Sequence, residues 1–362
     1  MYPRIVADLD KLRANMERIT ALCHGQGLSV ALVSKCVCAD GSIAAAMGGT
    51  QADYLADSRV QNLAKLPGGK PKYLLRIAQP CEVDDVVRYA DISQQSEAYT
   101  VRLLGQAAAK QGKHHKVVIM IDMGDLREGV FFRDEAAIYA LGDAVVECPA
   151  LELFGVGVNL TCFGGVLPSR ENLTGLVHVA EKLRKRYGLP IPFVSGGNSS
   201  SLTMLLEGAI PKGITNLRIG EGYLLGNDTG ALKPMPGFHR DCFTLEAQLV
   251  EVKRKPSKPV GESGANAFGE HVEFEDRGEM LRGICAIGRQ DVSPGGLTPY
   301  DSRVEILGAS SDHLIVNLTA APEYKVGDIV SFNVDYGALL QAYTGEYVNK
   351  AYKTAAPEAP AR

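Results

Sequence analysis

The sequence predicts an α/β fold: a (β/α)8 barrel of the TIM type followed by a C-terminal, mostly β domain. Two observations predict it. Between residues 28 and 222, eight short β-like runs alternate with helix-like segments. From about residue 240 the helical periodicity disappears, and β-like runs joined by Gly/Pro turns replace it. Strands alternating with helices imply parallel strands with crossover helices. Eight such units fit a closed barrel better than an open doubly wound sheet. The 362 residues leave room for about two domains of roughly 150 residues each.

The eight runs are LSVALVSK (28–35), ADYLADSR (52–59), KYLLRIA (72–78), ADISQQS (90–96), KVVIMIDMG (116–124), LELFGVGVNL (151–160), IPFVSGG (191–197) and NLRIGEG (216–222). Helix-like segments separate them, among them SEAYTVRLLGQAAAKQG and SRENLTGLVHVAEKLRKRYG. Ahead of the first run, RIVADLDKLRANMERI reads as a strand and a helix. Residues 1–231 are assigned to the barrel domain, with residues 1–10 expected to pair with the β domain. Residues 232–352 form that β domain, through CFTLEAQLVEVKRK, RGICAIGRQDV, SRVEILGASSDHLIVNLT and VGDIVSFNVDY. Residues 353–362 are expected to be a disordered tail.

Composition excludes several classes. A net charge of −4 gives no electrostatic reason for a nucleic-acid or anionic-membrane partner. No apolar run approaches the roughly 20 residues of a membrane span. MYPRIVADLD lacks a signal-peptide core, so a cytoplasmic protein is expected. The eight cysteines are scattered, which predicts free and mostly buried thiols. Cys36 and Cys38 have no second close pair, and the seven histidines form no triad, so no metal site is predicted. Alternation along a strand would place Cys36 and Cys38 on the side of the chain opposite Lys35, and His114–His115 is expected to face solvent.

Barrel active sites sit at the C-terminal ends of the strands. Those ends carry Lys35; Asp57, Ser58 and Arg59; Arg76; Asp122, Asp125, Arg127 and Glu128; Asn159, Thr161 and Cys162; Ser195 to Ser201; and Arg218 with Gly220, Glu221 and Gly222. SGGNSSS precedes a helix-like segment. Glycines admit a ligand close to backbone N–H groups, and hydroxyls add donors. The loops after the seventh and eighth strands are a recurrent barrel phosphate site; the bland alternative is a solvated loop with an N-cap serine. A lysine at one strand end facing a phosphate site points to pyridoxal 5′-phosphate, whose aldehyde forms a Schiff base with an amine. On position alone, Lys35 could equally be a rim lysine with its charge in water.

These stretches together resemble the fold-type III pyridoxal-phosphate enzymes, the alanine racemase class. VADLDKLRANMERI is similar to the opening signature of that class, and ALVSKCVCADG to its lysine stretch. The resemblance implies that Lys35 is the Schiff-base lysine and that Arg127, in IDMGDLREG, contacts the phenolic oxygen. It implies that Asn198 and Ser199 bind phosphate. It also implies that Arg218, in NLRIGEGYLLG, faces the pyridine nitrogen, with backbone donors at Ile219 and Gly220. Tyr347 is the candidate phosphate tyrosine from the β domain. LADSRVQNL, DLREGV, EFEDRG and AIGRQD resemble the ornithine racemase branch most closely.

The class implies an amino acid racemase, a homodimer and a second base from the partner's β domain. Alanine racemases use a tyrosine there, whereas VGESGANAFG has none and offers Ser263. Asp291, Tyr336, Tyr343, Tyr347 and Cys162 are further candidates. A longer substrate such as ornithine needs a carboxylate for its distal cation, for which Glu273, Glu275, Asp276 and Asp291 are candidates. Two alternatives stand beside the racemase. A pyridoxal-phosphate homeostasis or regulatory protein would lack the appended β domain or carry a decayed site. A D-amino acid aldolase or dehydratase of the same class would carry a His-x-Cys metal motif, which this chain lacks.

Overall fold

A computed structural model of the protein describes residues 1–354. The chain divides into two compact units, one of residues 9–240 and one of residues 1–8 with the segment from 241 onward. Strand β1 (Arg4–Asp8) belongs to the second unit, and helix α1 (Leu9–His24) opens the first.

The first unit continues with β2 (Ser29–Val33), α2 (Gly41–Gly48), β3 (Tyr54–Asp57), α3 (Val60–Lys65), β4 (Lys72–Leu74), α4 (Val83–Tyr89), β5 (Ile92–Gln95) and α5 (Ala98–Lys110). Then come β6 (His115–Asp122), β7 (Val130–Phe131), α6 (Glu135–Val146), β8 (Leu151–Gly157), α7 (Arg170–Tyr187), β9 (Phe193–Ser195), α8 (Leu202–Leu206), β10 (Asn216–Ile219), α9 (Glu221–Leu225), β11 (Asn227–Asp228) and β12 (Lys233–Pro234). Parallel pairing runs β5-β4-β3-β2-β10-β9-β8-β6, and β5 pairs with β6, which closes the barrel. All eight sequence-predicted runs are therefore barrel strands.

The bore is filled by Ala31, Val33, Ala56, Tyr73, Ile92, Val118, Phe154 and Phe193. Phe154 stacks on Phe193, and Tyr54 and Tyr73 meet Phe193 edge-on. Helix α7 shows why the surrounding helices form and where they stop. Leu173, Leu176, Val177, Ala180 and Leu183 repeat at helical spacing and are buried. Ser169 caps the start, its hydroxyl accepting the Asn172 N–H, and Gly188 ends the helix at φ +65°.

The second unit holds β13 (Phe243–Pro256), β14 (Glu279–Cys285), β15 (Leu297–Pro299), β16 (Glu305–Ala309), β17 (Leu314–Asn317), β18 (Ile329–Val334), α10 (Tyr336–Thr344) and β19 (Asn349–Lys353). Its antiparallel order is β15-β18-β13-β14-β17-β16, and β1 joins it between β13 and β19. Along β13, Phe243, Leu245, Ala247 and Leu249 are buried while the residues between them are half-exposed, the period of a sheet with one covered face.

Several expectations need correction. The first predicted strand stops at Val33, and Lys35–Val37 form a 3-10 turn. Strand alternation therefore does not govern Cys36 and Cys38: Cys36 is buried and Cys38 half-buried at φ +52°. His115 does not face solvent; it is 1% exposed. Half of the thiols are buried rather than most of them: Cys23, Cys36, Cys242 and Cys285 are buried, Cys38 and Cys148 half-buried, and Cys81 and Cys162 exposed. The boundary falls between Arg240 and Asp241 rather than at 231–232. The reason is local: the Asn15 amide donates to the Tyr223 and His239 carbonyls, and the Met235 N–H donates to the Gly226 carbonyl. Helix α10 was not expected in the β domain; Asp335 caps it by accepting the Ala338 N–H. Lys353 belongs to β19, and the rest of the expected tail from 355 lies outside the described residues.

Candidate active site

Strand ends bring the barrel's predicted residues to one mouth. Lys35 is exposed and opens its 3-10 turn directly after Ser34. Ser34 is fixed twice: its N–H donates to the Ala56 carbonyl at 2.9 Å and its hydroxyl to Asp57 Oδ2 at 2.6 Å. Asp57 is fully buried and also accepts the Arg59 N–H and the Asn62 amide. Burial pushes the Asp57 carboxyl up to about 6, although those hydrogen bonds and the charge of Lys35 oppose the shift. The turn that presents Lys35 therefore rests on a buried carboxyl group.

A line of hydrogen bonds runs through the bore. The Asn216 amide donates to Ser29, and the Ser195 hydroxyl donates to Asn216 Oδ1. Arg218, 2% exposed, donates from Nη1 to Ser195 Oγ and from Nη2 to the Val158 carbonyl and Asn159 Oδ1. Among the described residues its Nε–H donates to none. Asn159 Nδ2 donates in turn to Glu128, and both oxygens of Glu128 accept from the Arg127 guanidinium. Burial pulls the Arg218 pKa down from its ordinary value, while Tyr73 and Glu128 oppose it. Burial also works against the Arg127 charge, but Glu128, Cys162 and Asp125 hold that guanidinium above its ordinary value. Arg218 is thus a buried cation held by hydrogen bonds, whereas Arg127, paired with Glu128, stands at the solvent-exposed end of the line.

The loops that carry this line are tied by Asp125, which is 1% exposed. Its carboxylate accepts four backbone N–H groups, from Thr161, Cys162, Phe163 and Val166 at 2.9 to 3.1 Å. Its own carbonyl accepts the Gly164 N–H, and a Cβ at Gly164 would lie 2.7 Å from that carbonyl oxygen. Asp122 organises the near side by accepting the Gly124 and Leu126 N–H groups. Arg127–Glu128 and Asn159 are therefore held by loops locked to one another.

Across the mouth, Ser199 Oγ accepts the Gly220 and Gly222 N–H groups at 3.2 and 3.3 Å. Asn198 caps the 3-10 turn Ser199–Ser201, and its amide donates to the Leu160 carbonyl and to Cys162 Sγ. A Cβ at Gly222 would lie 2.4 Å from Leu202 Cδ1, so a larger residue there would require the Leu202 side chain to shift. The Tyr223 hydroxyl donates to the Val33 carbonyl at 2.9 Å and ties this corner to the end of β2. In-register pairing of Arg218 with Ala31 and of Ile219 with Leu32 places Gly220 and Lys35 at adjoining strand ends.

Tyr347 lies in the β unit, 63% exposed. Among the second-base candidates Cys162 is at the barrel mouth and exposed. The others belong to the β unit. Tyr343 is buried edge-on against Phe243. Asp291 is buried and accepts the Gly288 N–H. Tyr336 opens α10. Ser263, Glu273, Glu275 and Asp276 lie on the exposed connection between β13 and β14. Sequence reasoning missed Tyr73, Tyr223 and the bridging parts of Glu128 and Asn159. Both latter residues stand at strand ends, yet nothing local signals that residues 31 apart in sequence hold each other.

Among the described residues no group of three or more His, Cys, Asp or Glu is placed to hold a metal ion. No helix among them is long and apolar enough to cross a membrane.

Comparison with known proteins places this geometry. Residues 7–226 match the model of the alanine racemase N-terminal domain. The chain is 47% identical over 352 residues to the ornithine racemase of Acetoanaerobium sticklandii, covering 97% of this chain and 99% of that one. It is 35% identical over 356 residues to the lysine racemase of Thermotoga maritima, covering 98% and 99%. Among solved structures, the alanine racemase from Streptomyces coelicolor A3(2) superimposes with a TM-score of 0.75 at 17% identity, covering 96% of this chain and 97% of that one.

Proposed function

Because this chain belongs to the alanine racemase family, we propose that it is a pyridoxal-phosphate-dependent amino acid racemase acting on a basic substrate such as ornithine. The observation that carries the reading is the convergence at one barrel mouth of Lys35, the Arg127–Glu128–Asn159–Arg218 line and the Ser199–Gly220–Gly222 corner. The similarity over full length to an ornithine racemase and a lysine racemase supports the basic substrate. A homodimer belongs to the same proposal.

The residues suit the cofactor. Ser199 and the backbone N–H groups of Gly220 and Gly222 form a small polar corner of the kind a phosphate takes. The Arg218 Nε–H, which no described residue accepts, suits an aromatic nitrogen. When bound, pyridoxal phosphate supplies an electron sink that makes the Cα proton of an amino acid removable.

The chain's own residues do the rest. Lys35 holds the cofactor and then moves a proton at Cα on one face. Arg218 keeps its own proton, since guanidinium groups do not release theirs in proteins. A pyridine nitrogen held against Arg218 would therefore stay unprotonated and make the cofactor a weak sink. A weak sink favours brief loss and return of one proton over longer carbanion chemistry. Arg127 offers a cation to the phenolic oxygen, and Asn198 and Ser199 orient the phosphate. Tyr347 and the second base belong to the β domain side of the proposal.

Borohydride reduction of the holoenzyme followed by peptide mapping tests the reading at its centre. The expected adduct is on Lys35; an adduct on any other lysine, or none, sinks it. Incubation with L-ornithine, L-lysine and L-alanine in deuterated water should then give Cα exchange and D-product, fastest with a basic substrate. Bound cofactor without exchange on any amino acid would instead support a binding protein.

A further inference from the structure

We propose that Glu128 is a positioning residue that couples Arg127 to Arg218, so that one carboxylate orients both guanidinium groups of the site. The inference rests on the reading of this mouth as a pyridoxal-phosphate site, and it adds a residue that the family resemblance does not assign.

The geometry is specific. Glu128 uses both oxygens on Arg127, accepting from Nε and from Nη2, in the fork arrangement that fixes a guanidinium plane. One of these oxygens also accepts from Asn159 Nδ2. Because Asn159 gives its N–H to Glu128, it must turn its oxygen the other way, and that oxygen accepts the Arg218 Nη2 proton. The Asn159 amide can satisfy both neighbours in only one of its two flips. A glutamine at position 128 can turn its own N–H₂ group toward Asn159 and compete for that oxygen, so the preference would weaken. The Asn159 oxygen would then be shared with position 128, and the hold on Arg218 would rest more on Ser195 and the Val158 carbonyl.

Charge gives Glu128 a second effect. The mouth carries two guanidinium groups within one hydrogen-bonded line, and Glu128 is the carboxylate that joins it directly. Its charge offsets that of Arg127 at the mouth that also carries Lys35. A negative charge there favours the protonated state of the nitrogen shared by Lys35 and the cofactor. Removing it should let that nitrogen lose its proton at lower pH.

The test uses full-length holoenzyme, first wild type, then Glu128→Gln and Glu128→Asp. Wild type must carry its reduced adduct on Lys35; if it does not, the functional reading has failed and not this inference. Given that adduct, Glu128→Gln should retain cofactor affinity of the apo-protein and lose kcat by about 10- to 100-fold, with a smaller change in KM. The pH midpoint of the bound cofactor's visible absorbance should fall. Glu128→Asp keeps the charge with a shorter reach, so it should restore the midpoint while kcat stays low. A Gln variant with wild-type kcat and midpoint overturns the proposal, as does an Asp variant whose midpoint falls as far as that of Gln. Loss of cofactor affinity in both variants would mean that Glu128 merely builds the pocket, which also overturns it.

Discussion

The bore of the barrel and the outer face of β5 and β6 each bury a cluster of polar side chains, and the two differ in charge. In the bore, Arg218, Asn159, Glu128 and Arg127 form a line in which both oxygens of Glu128 and both ends of the Asn159 amide are engaged. On the outer face, next to α5, Ser93, Gln95 and His115 are neutral. Gln95 Nε2 donates to Ser93 Oγ, which contacts His115 Nε2 at 2.8 Å. Among the described residues neither Gln95 Oε1 nor His115 Nδ1 has a well-formed hydrogen bond. Burial drives the His115 pKa down to about 4, and the Ala90 backbone opposes this only through a poorly aligned contact. The difference teaches where a fold must be complete. An unpaired buried charge is far more costly than an unpaired buried amide oxygen, so the carboxylate and amide atoms of the Arg218–Asn159–Glu128–Arg127 line are all engaged, whereas Gln95 in the outer cluster, like Gln94 in the bore, keeps an amide oxygen without a partner among the described residues.

Four substitutions probe that contrast, beyond the tests on Lys35 and Glu128. The largest effect is expected at Asp125, whose carboxylate gathers four N–H groups. Asp125→Asn keeps the shape but turns an N–H₂ group toward donors. The expected loss is about 3 kcal/mol, which for a unit the size of residues 9–240 lowers its Tm by roughly 6 to 12 °C. Differential scanning calorimetry measures it. An unchanged Tm would show that the mouth does not depend on its buried charges.

The next comparison sets Asp57, at the mouth, against His115, on the outer face, because their pKa values move in ways that oppose each other. Folded Asp57 titrates at about 6 and the unfolded residue near 4, so the folded chain holds more protons between those values. Its cost to stability is complete above about pH 6 and is relieved as pH falls toward 4. Folded His115 titrates at about 4 and the unfolded residue near 6.5, so the unfolded chain holds more protons. Its contribution is complete above about pH 6.5 and is lost as pH falls toward 4. Each is on the order of 3 kcal/mol, so the two largely cancel in acid. Asp57→Asn should make stability fall more steeply below pH 6, and His115→Gln should flatten or invert the slope. Urea unfolding at several pH values separates them. Equal slopes in both variants would mean that neither group titrates from a buried site.

Much of this arrangement was legible in the sequence. The eight β-like runs marked every barrel strand, since parallel strands covered on both faces read as apolar runs. Lys35, Arg127, Asn198, Ser199 and Arg218 stood out because glycine-rich or charged residues interrupt those runs at their ends. Their connections were not legible. The bond between Glu128 and Asn159, and that between Arg218 and Ser195, depend on which strands become neighbours. His115 was misread for a related reason. A polar pair at a strand start looks exposed unless the helix packed over it is known. Helix α10 was hidden by its shortness and by the β-rich runs before it.

The smallest expected effect is the most discriminating for the neutral cluster. Gln95→Met keeps about the same length and removes two polar atoms at once. One, Nε2, makes a 3.0 Å bond to Ser93; the other, Oε1, has no partner among the described residues. The lost bond should cost about 1 kcal/mol, and relief of the unpaired oxygen should return a similar amount. Stability by urea unfolding should therefore stay within about 1 kcal/mol of wild type, with racemase activity unchanged because Gln95 faces away from the bore. A loss above about 2 kcal/mol would mean that Gln95 Oε1 is satisfied by solvent held inside the cluster. The outer face would then be as completely bonded as the line through Glu128 and Asn159. Charge would no longer explain why one cluster is built so much more tightly than the other.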